Sequence, residues 1–146
     1  MVYVVKQQRE DIFSSNCQTI TNTCNIFGVM GKGLAFDFRQ KHPLMFEEYK
    51  NLCSQRLFET GKPYISKLYK PWILNFPTKK HWRDKSDIED IENGLIYLDK
   101  HHQEWGITSL AMPMLGCNLG GLNKEMVLPL LKDHFNNWSI LVEIYY

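Results

Sequence analysis

Two glycine-rich segments of the sequence have the residue types and spacing of loops that bind a phosphorylated ligand. The first spans residues 25–35, Asn-Ile-Phe-Gly-Val-Met-Gly-Lys-Gly-Leu-Ala, between a strand-like run and a helix-like run. The second spans residues 113–125 and has the same order of strand, glycine loop and helix. Glycine lets the backbone approach a ligand closely, and the first N–H groups of a helix attract an anion. Because such loops converge at the carboxyl ends of strands, the pair predicts a site for a diphosphate and a sugar.

Neither loop matches a standard nucleotide motif. In the first loop, Gly31-Lys32 lacks the glycine spacing of a P-loop and is not followed by serine or threonine. Phe36 stands where a GxGxxG dinucleotide motif needs its third glycine. A purely structural strand-to-helix turn therefore remains the alternative for each loop taken alone.

Short motifs at four places, in the same order along the chain, resemble the macrodomain family, whose fold binds ADP-ribose. They are Asp11-Ile12, Asn22-Thr-Cys-Asn25, Gly31-Lys-Gly-Leu-Ala35 and Gly116-Cys-Asn-Leu-Gly-Gly121. The resemblance covers nearly the whole chain. It implies an α/β fold of three layers, α/β/α, with a mixed central sheet, formed as a single macrodomain over residues 1–146.

A fifth segment, residues 75–86, is similar to one branch of that family. It resembles DarG, an antitoxin macrodomain that removes ADP-ribose from thymidine in DNA and is related to the terminal ADP-ribose protein glycohydrolase. The glycohydrolase uses a lysine after a threonine, which Thr78-Lys79 matches. It also uses an aspartate in the second loop, where this sequence has Gly120. The departure at Gly120 favours the DarG branch.

The resemblance implies a role for each matched position in the two loops. Lys79 would lie beside the anomeric carbon of the distal ribose as a catalytic residue. Asn22 would orient that ribose, with Asn25 as the alternative contact. The diphosphate would be wrapped by Gly31, Lys32, Gly33, Leu34 and Ala35, and the distal side by Pro113, Leu115, Gly116, Cys117, Asn118, Leu119, Gly120, Gly121 and Leu122.

The resemblance also implies an adenine site. Asp11 would bind the adenine amine, Ile12 would support the ring, and Tyr145 would pack near the base. For Asp11 the alternative is a cap on the following turn, and for Tyr145 it is a place in the core. His81 is a possible acid or base, with a surface position beside Trp82 as its alternative.

Hydrophobic patterning indicates the elements that position these residues. Apolar and β-branched runs predict strands at residues 2–5, 17–23, 65–69, 72–76, 109–112 and 140–145. Helical spacing predicts helices at residues 33–41, 44–53 and 124–135 and around Ile88, Ile91, Leu95 and Leu98. Strands that alternate with helices imply an α/β sheet covered on both faces.

Local signals set the predicted helix ends. The first helix must stop near Pro43, because proline disfavours α geometry in the residue before it. Ser86 and Glu89 have the spacing of a capping box, which predicts Ser86 as the N-cap of the third helix. In the second helix, the expected buried residues are Leu44, Tyr49, Leu52 and Cys53.

Charge is balanced over the whole chain but not along it. Seventeen Lys and Arg stand against sixteen Asp and Glu, which excludes a protein that holds nucleic acid by bulk charge. Residues 61–83, however, contain six basic and no acidic side chains, interleaved with five aromatic residues. Such a segment is typical of single-stranded nucleic acid binding. The alternative is a solvated hairpin whose aromatic residues face the core.

Other features of the sequence concern compartment and cofactors. It has no window of eighteen apolar residues and no signal-peptide pattern, so we expect a cytoplasmic protein without a membrane partner. Cys17, Cys24, Cys53 and Cys117 lack CxxC spacing, which indicates reduced thiols. We expect a monomer that needs no metal and no cofactor.

Taken with the resemblance, these residues predict a hydrolase that removes ADP-ribose from thymidine bases in DNA. Lys79 can assist as an ammonium beside the leaving base or, when neutral, by attacking the opened C1 aldehyde of the ribose. No carboxylate pair like that of retaining glycosidases is visible. Two alternatives remain. One is a hydrolase of a free derivative, such as an ADP-ribose 1″-phosphate phosphatase, and the other is a non-catalytic ADP-ribose-binding module.

Overall fold

The central element of the fold is one mixed sheet. The computed structural model describes residues 3–6 and 11–146. Among these residues the strands are β1 (Tyr3–Lys6), β2 (Thr19–Asn25), β3 (Tyr64–Ser66), β4 (Trp72–Lys79), β5 (Ser109–Pro113) and β6 (Leu141–Tyr145). The strand order is β1-β6-β5-β2-β4-β3. Every neighbouring pair is parallel except β3 and β4, which are antiparallel.

Helices cover both faces of this sheet. They are α1 (Gly33–Lys41), α2 (Pro43–Ser54), α3 (Ile88–His101) and α4 (Lys124–Phe135). One buried cluster, which includes Leu74, Leu95 and Leu131, joins α3 and α4 to one face. A second, which includes Ile20 and Phe38, joins α1 and α2 to the other face. The predicted three-layer α/β/α fold with a mixed sheet is confirmed. None of the helices in the described part of the chain has the length and apolar character needed to cross a bilayer.

Several predicted strand bounds were shifted. The second strand begins at Thr19 instead of Cys17 and continues to Asn25, and β4 continues through Lys79. The strand predicted at residues 65–69 is shorter, because the chain turns after Ser66 before Pro71, which has no N–H for a ladder bond. Val2, the predicted start of the first strand, lies outside the described residues.

The predicted buried side of α2 was wrong at Leu44, whose side chain is 63% exposed. Tyr49 is buried as predicted and Leu52 and Cys53 are half-buried, whereas the buried residues Met45 and Phe46 were not predicted. Met45 and Tyr49 are four residues apart and lie on one helical face. Leu44 is rotated away from that face at the first turn of the helix.

The predicted N-cap of α3 was also wrong. Asp87 is the N-cap, and its side chain accepts a hydrogen bond from the Glu89 N–H at 3.0 Å. Ser86 instead donates its backbone N–H to the Gly120 carbonyl at 2.9 Å. The backbone of Ser86 is therefore bonded to the second glycine loop, and the N-cap lies one residue after the predicted one.

Candidate functional site: a cleft between two glycine loops

A cleft of about 590 Å³ opens at the carboxyl ends of β2, β4 and β5. The volume lies within the range of small-molecule sites, roughly 300–1,000 Å³. Its lining residues come from both glycine loops and from the segment after β4. They are Thr23, Cys24, Asn25, Val29, Gly31, Lys32, Gly33, Leu34, Ala35, Thr78, Lys79, Trp82, Arg83, Asp84, Lys85, Pro113, Met114, Gly116, Cys117, Asn118, Leu119 and Gly120. The adjacency of β5, β2 and β4 in the sheet brings these distant segments together.

The side chain of Asn25 folds the start of the first loop. Its Oδ1 accepts from the N–H groups of Phe27 at 3.0 Å and Gly28 at 3.1 Å, and from the hydroxyl of Tyr49 at 2.8 Å. Its Nδ2 donates to the Val29 carbonyl at 2.8 Å. Asn25 therefore reaches the cleft while its polar atoms hold the loop in shape.

The rest of the first loop presents backbone to the cleft. Gly31, Lys32 and Gly33 are exposed, and α1 begins at Gly33 with Lys32 as an N-cap that makes no side-chain capping bond. The first N–H groups of a helix have no partner within the helix. Together with the positive end of the helix dipole, they form a site suited to an anion such as a diphosphate.

The second loop is held internally. Gly116 has φ of +73°, and its carbonyl accepts from the Leu122 N–H at 2.8 Å. A Cβ atom at Gly120 would lie 2.3 Å from the Ser86 Oγ and 2.5 Å from the Gly116 carbonyl oxygen. No side chain fits at Gly120 on this backbone, so an aspartate is excluded there.

Lys79 lies at the end of β4 and lines the cleft. Its Nζ donates to the Trp82 carbonyl at 3.2 Å. Partial burial lowers the pKa of the Lys79 ammonium from its ordinary value, and the nearby Asp84 carboxylate opposes that shift. The site therefore holds a partly desolvated amine whose neutral form is more accessible than that of an exposed lysine.

Comparison with known families shows which family has this fold and cleft. The Macro domain family model matches residues 21–131, which is well over half of the 146-residue chain. The chain belongs to the Macro domain family. The resemblance to DarG macrodomains is also confirmed, as the following relatives show.

Two curated relatives illustrate the relationship. This macrodomain is 37% identical to a DNA ADP-ribosyl transferase–DNA ADP-ribosyl glycohydrolase fusion protein of Thermosipho africanus, over 92% of this chain and 40% of that protein. It is 40% identical to the DNA ADP-ribosyl glycohydrolase of Mycobacterium tuberculosis, over 80% of this chain and 34% of that protein. The chain thus spans between a third and two fifths of the length of these relatives.

Solved structures agree in fold. The Thermosipho africanus DarTG structure in complex with ADP-ribose superposes with a TM-score of 0.91 at 37% identity, over 96% of this chain and 40% of that chain. The macrodomain of Thermus aquaticus DarG superposes with a TM-score of 0.90 at 32% identity, over 99% of each chain.

Most residues singled out in the sequence lie in the cleft of the macrodomain, but seven do not. Those in the cleft are Asn25, Gly31, Lys32, Gly33, Leu34, Ala35, Lys79, Pro113, Gly116, Cys117, Asn118, Leu119 and Gly120. Asn22, Asp11, Ile12, Leu115, Gly121, Leu122 and Tyr145 are not among the lining residues. Leu115 is fully buried beneath the second loop, so it supports that loop from the core side.

Asn22 is buried inside the sheet, with no exposed surface. Its Nδ2 donates to Asn75 Oδ1 at 3.0 Å across β2 and β4. Its own Oδ1 has no hydrogen-bond partner within the described residues. In this geometry the amide pairs two central strands and does not touch the cleft, and Asn25 at the strand end reaches it instead.

The residues expected around adenine do not line the cleft, and their own contacts explain where they lie. Asp11 is exposed and accepts from the Phe13 N–H at 2.9 Å, so it caps a short 3₁₀ turn at Ile12–Ser14. Ile12 and Tyr145 are buried in the same cluster. The Tyr145 hydroxyl donates to Glu143 Oε1 at 2.9 Å.

The basic segment 61–83 does not form one continuous surface. Strand β4, whose seven steps of about 3.3 Å span about 23 Å, separates Lys67 and Lys70, which precede it, from Lys79, Lys80 and Arg83 at and after its end. Lys67 lies over the Trp72 ring at 4.6 Å at the far end, whereas Trp82 and Arg83 line the cleft. The aromatic residues before β4 ends are buried or half-buried. Only the last part of the segment reaches the site.

Sequence reasoning missed several lining residues, chiefly Val29, Asp84, Lys85 and Met114. The change of charge sign after Arg83 is the one signal that points to residues 84 and 85. Val29 and Met114 line the cleft as apolar neighbours of the loops, and their residue types carry no chemical signal.

Proposed function

We propose that this chain, as one macrodomain, binds ADP-ribose in the cleft and hydrolyses the bond that links it to a thymidine base in DNA. The observation that carries the proposal is the position of Lys79 in the cleft between two glycine loops. The names of relatives that are 37% and 40% identical support the substrate class.

ADP-ribose has a natural orientation in this cleft. The diphosphate lies on the N–H groups at the start of α1, where a helix N-terminus favours negative charge. The distal ribose lies between residues 116–120 and Lys79, which line the same cavity. The adenosine extends towards Asp11, whose exposed carboxylate is available to the adenine amine. Asn22 takes no direct part in this placement, because its amide is bonded to Asn75.

Lys79 supplies the nucleophile. Its neutral Nζ attacks C1″ of the distal ribose and forms a C–N bond, while the bond from C1″ to the base breaks and the base leaves with its electrons and takes up one proton from Nζ. The resulting ribosylamine opens at its C1″–O4″ bond as the remaining Nζ proton moves to O4″, which gives an imine. Water then hydrolyses the imine, which releases ADP-ribose and restores the amine. The lowered pKa of Lys79, caused by burial, raises the fraction of neutral amine near neutral pH.

A DNA substrate agrees with the charge at the mouth of the cleft. Residues 79–85 contain four cations, Lys79, Lys80, Arg83 and Lys85, against the single carboxylate of Asp84. This local excess favours a polyanion at a site where the whole chain is nearly neutral. We propose single-stranded DNA as the macromolecular partner, a monomeric enzyme, and the cytoplasmic location expected from the sequence.

The proposal is tested with three substrates in parallel. They are an ADP-ribosylated thymidine oligonucleotide, a protein ADP-ribosylated on glutamate, and ADP-ribose 1″-phosphate. We expect the protein to release ADP-ribose from the oligonucleotide. Chromatography of the reaction products measures this release. Turnover of the phosphate alone would make the protein a hydrolase of a free derivative. Binding of ADP-ribose without any turnover would make it a binding module.

Substitution of Lys79 tests the mechanism. We expect Lys79→Ala and Lys79→Arg each to lower kcat on the oligonucleotide by about 100-fold or more, the size typical of a lost catalytic group. Arginine keeps the charge but stays protonated, so it cannot attack carbon. Lys100→Ala, an exposed lysine of α3, is the matched control. Full activity of Lys79→Arg would show that charge alone suffices.

The pH profile follows from the same residue. Because the neutral amine reacts, kcat/KM should rise with pH and level off at a pKa below the ordinary lysine value of 10.5. Asp84→Asn removes the carboxylate that raises this pKa, so the rising limb should move to lower pH. Stopped assays of kcat/KM between pH 6 and pH 10 measure both profiles. A rate that falls over this range would assign the reaction to the ammonium form.

A further inference from the structure

Three aromatic side chains form a ladder beside the mouth of the cleft. Phe27, from the first loop, has its ring centroid 4.7 Å from that of His81, and His81 stacks on Trp82 at 5.1 Å with an interplanar angle of 28°. The Arg83 guanidinium lies 4.5 Å from the centroid of the Trp82 ring. We call Phe27, His81 and Trp82 the aromatic ladder.

The ladder is fixed relative to Lys79. The Trp82 carbonyl accepts from Lys79 Nζ at 3.2 Å, and Asn25 Oδ1 accepts from the Phe27 N–H at 3.0 Å. The turn between them is closed by bonds from the His81 N–H to Asp84 Oδ2 at 3.1 Å and from the Arg83 N–H to His81 Nδ1 at 3.0 Å. The backbones of the two outer residues are therefore held close to the proposed reaction centre.

These rings are exposed in spite of their size. Phe27 is 59% exposed and Trp82 is 40% exposed, whereas the aromatic residues of both core clusters are nearly or fully buried. Exposed aromatic faces next to several cations are what a stacked nucleobase and its phosphates require. The neighbouring cations here are Lys80 and Arg83.

We propose that the aromatic ladder stacks, on its exposed end at Phe27, a base that flanks the modified thymidine, with Lys80 and Arg83 near the adjacent phosphates. This inference rests on the proposed function, and it names the part of the DNA that the site reads beyond the modified base. Ring faces are accessible only to unstacked bases, so the ladder selects a single strand over a duplex. Purines have larger faces than pyrimidines, so a flanking purine should bind more strongly.

The test compares one variant on two substrates. We measure kcat/KM of the wild type and Phe27→Ala on an ADP-ribosylated thymidine oligonucleotide and on ADP-ribosylated thymidine mononucleoside, which has no flanking base. The ratio of the two values should be lower in Phe27→Ala by about fivefold to 150-fold, since one stacked base contributes about 1–3 kcal/mol. Phe27→Trp, which keeps an aromatic face, should restore the ratio, and Phe27→Leu should not.

The controls separate the possible failures. Leu44→Ala shortens another exposed apolar side chain, at the start of α2, and should leave the ratio unchanged. The proposed stacking is refuted if the ratio for Phe27→Ala lies within twofold of the wild-type ratio. It is also refuted if Phe27→Leu restores the wild-type ratio.

If the wild type hydrolyses neither the ADP-ribosylated oligonucleotide nor the ADP-ribosylated mononucleoside, the proposed function fails. Stacking by the aromatic ladder is then tested by fluorescence anisotropy on a labelled, unmodified oligonucleotide. Weaker binding by Phe27→Ala supports the ladder, and the absence of binding by the wild type refutes it.

Discussion

The two glycine loops of the cleft use glycine for different reasons. In the first loop, a Cβ atom at Gly31 would meet only the Val29 Cγ1 atom, at the ordinary contact distance of 3.5 Å. In the second loop, a Cβ atom at Gly120 would be 2.3 Å from the Ser86 Oγ. Glycine at Gly31 leaves space for a ligand, whereas glycine at Gly120 leaves space for the protein itself.

The two loops therefore have different tasks in one cleft: the glycines of the first serve ligand binding, and Gly120 of the second serves folding. The first loop has exposed backbone and a helix N-terminus, so its glycines affect what can approach from outside. The second loop receives the Ser86 N–H on the Gly120 carbonyl, so its shape depends on the segment before α3. Substitution of a glycine in the first loop should therefore weaken ligand binding, whereas substitution of Gly120 in the second loop should destabilise the fold.

Gly120→Ala should have the largest effect. The added methyl group overlaps the Ser86 hydroxyl and the Gly116 carbonyl, so the loop must shift. We expect the free energy of unfolding to fall by about 2–3 kcal/mol, as for an overpacked core position. ADP-ribose binding should be lost as well. Urea denaturation and isothermal titration calorimetry measure the two quantities.

A second variant shows which contact is responsible. Ser86→Gly removes the hydroxyl but leaves the Gly116 carbonyl 2.5 Å from the new Cβ atom. The double variant should therefore recover only part of the lost stability. If Gly120→Ala unfolds at the wild-type urea concentration, the second loop is not held by these contacts and the contrast between the loops fails.

The difference between the loops also explains which features the sequence could predict. The helix at 33–41 was predicted with its observed bounds, because Gly33 and Pro43 are local signals for its start and its end. The α/β class followed from alternating strands and helices, which depends only on periodicity. Contacts such as the one between Ser86 and Gly120 join residues 34 positions apart, and no local pattern indicates them.

Asn22 and the basic segment show the same limit. In a central parallel strand both faces are buried, so alternation does not distinguish a residue at the cleft from one inside the sheet. Asn22 is held by Asn75, which is 53 residues away. The charge count for residues 61–83 joined Lys67 and Lys70, which precede β4, to Lys79, Lys80 and Arg83, which lie at and after its end.

Gly31→Ala should act on binding and leave folding nearly unchanged. Its Cβ atom has space, so the free energy of unfolding should change by no more than about 0.5 kcal/mol. The methyl group occupies the approach to the loop backbone, so ADP-ribose affinity should fall by about tenfold or more, the effect of one lost hydrogen bond to a charged group. Calorimetric titration and urea denaturation check the pair of results. Destabilisation as large as that of Gly120→Ala would make the two loops equivalent.

Leu119→Ala should have the smallest effect, because the Leu119 side chain lies beside Gly33 of the first loop but is mostly exposed. The Leu119 side chain is 61% exposed, and its Cδ1 atom lies 3.3 Å from the position of a Cβ on Gly33. Truncation removes apolar contact across the cleft but little buried area, so stability should stay within about 0.5 kcal/mol of the wild type. ADP-ribose affinity should fall by about fivefold or less, which corresponds to about 1 kcal/mol. Leu44→Ala is again the control, and an affinity loss as large as that of Gly31→Ala would mean that Leu119 contacts the ligand directly.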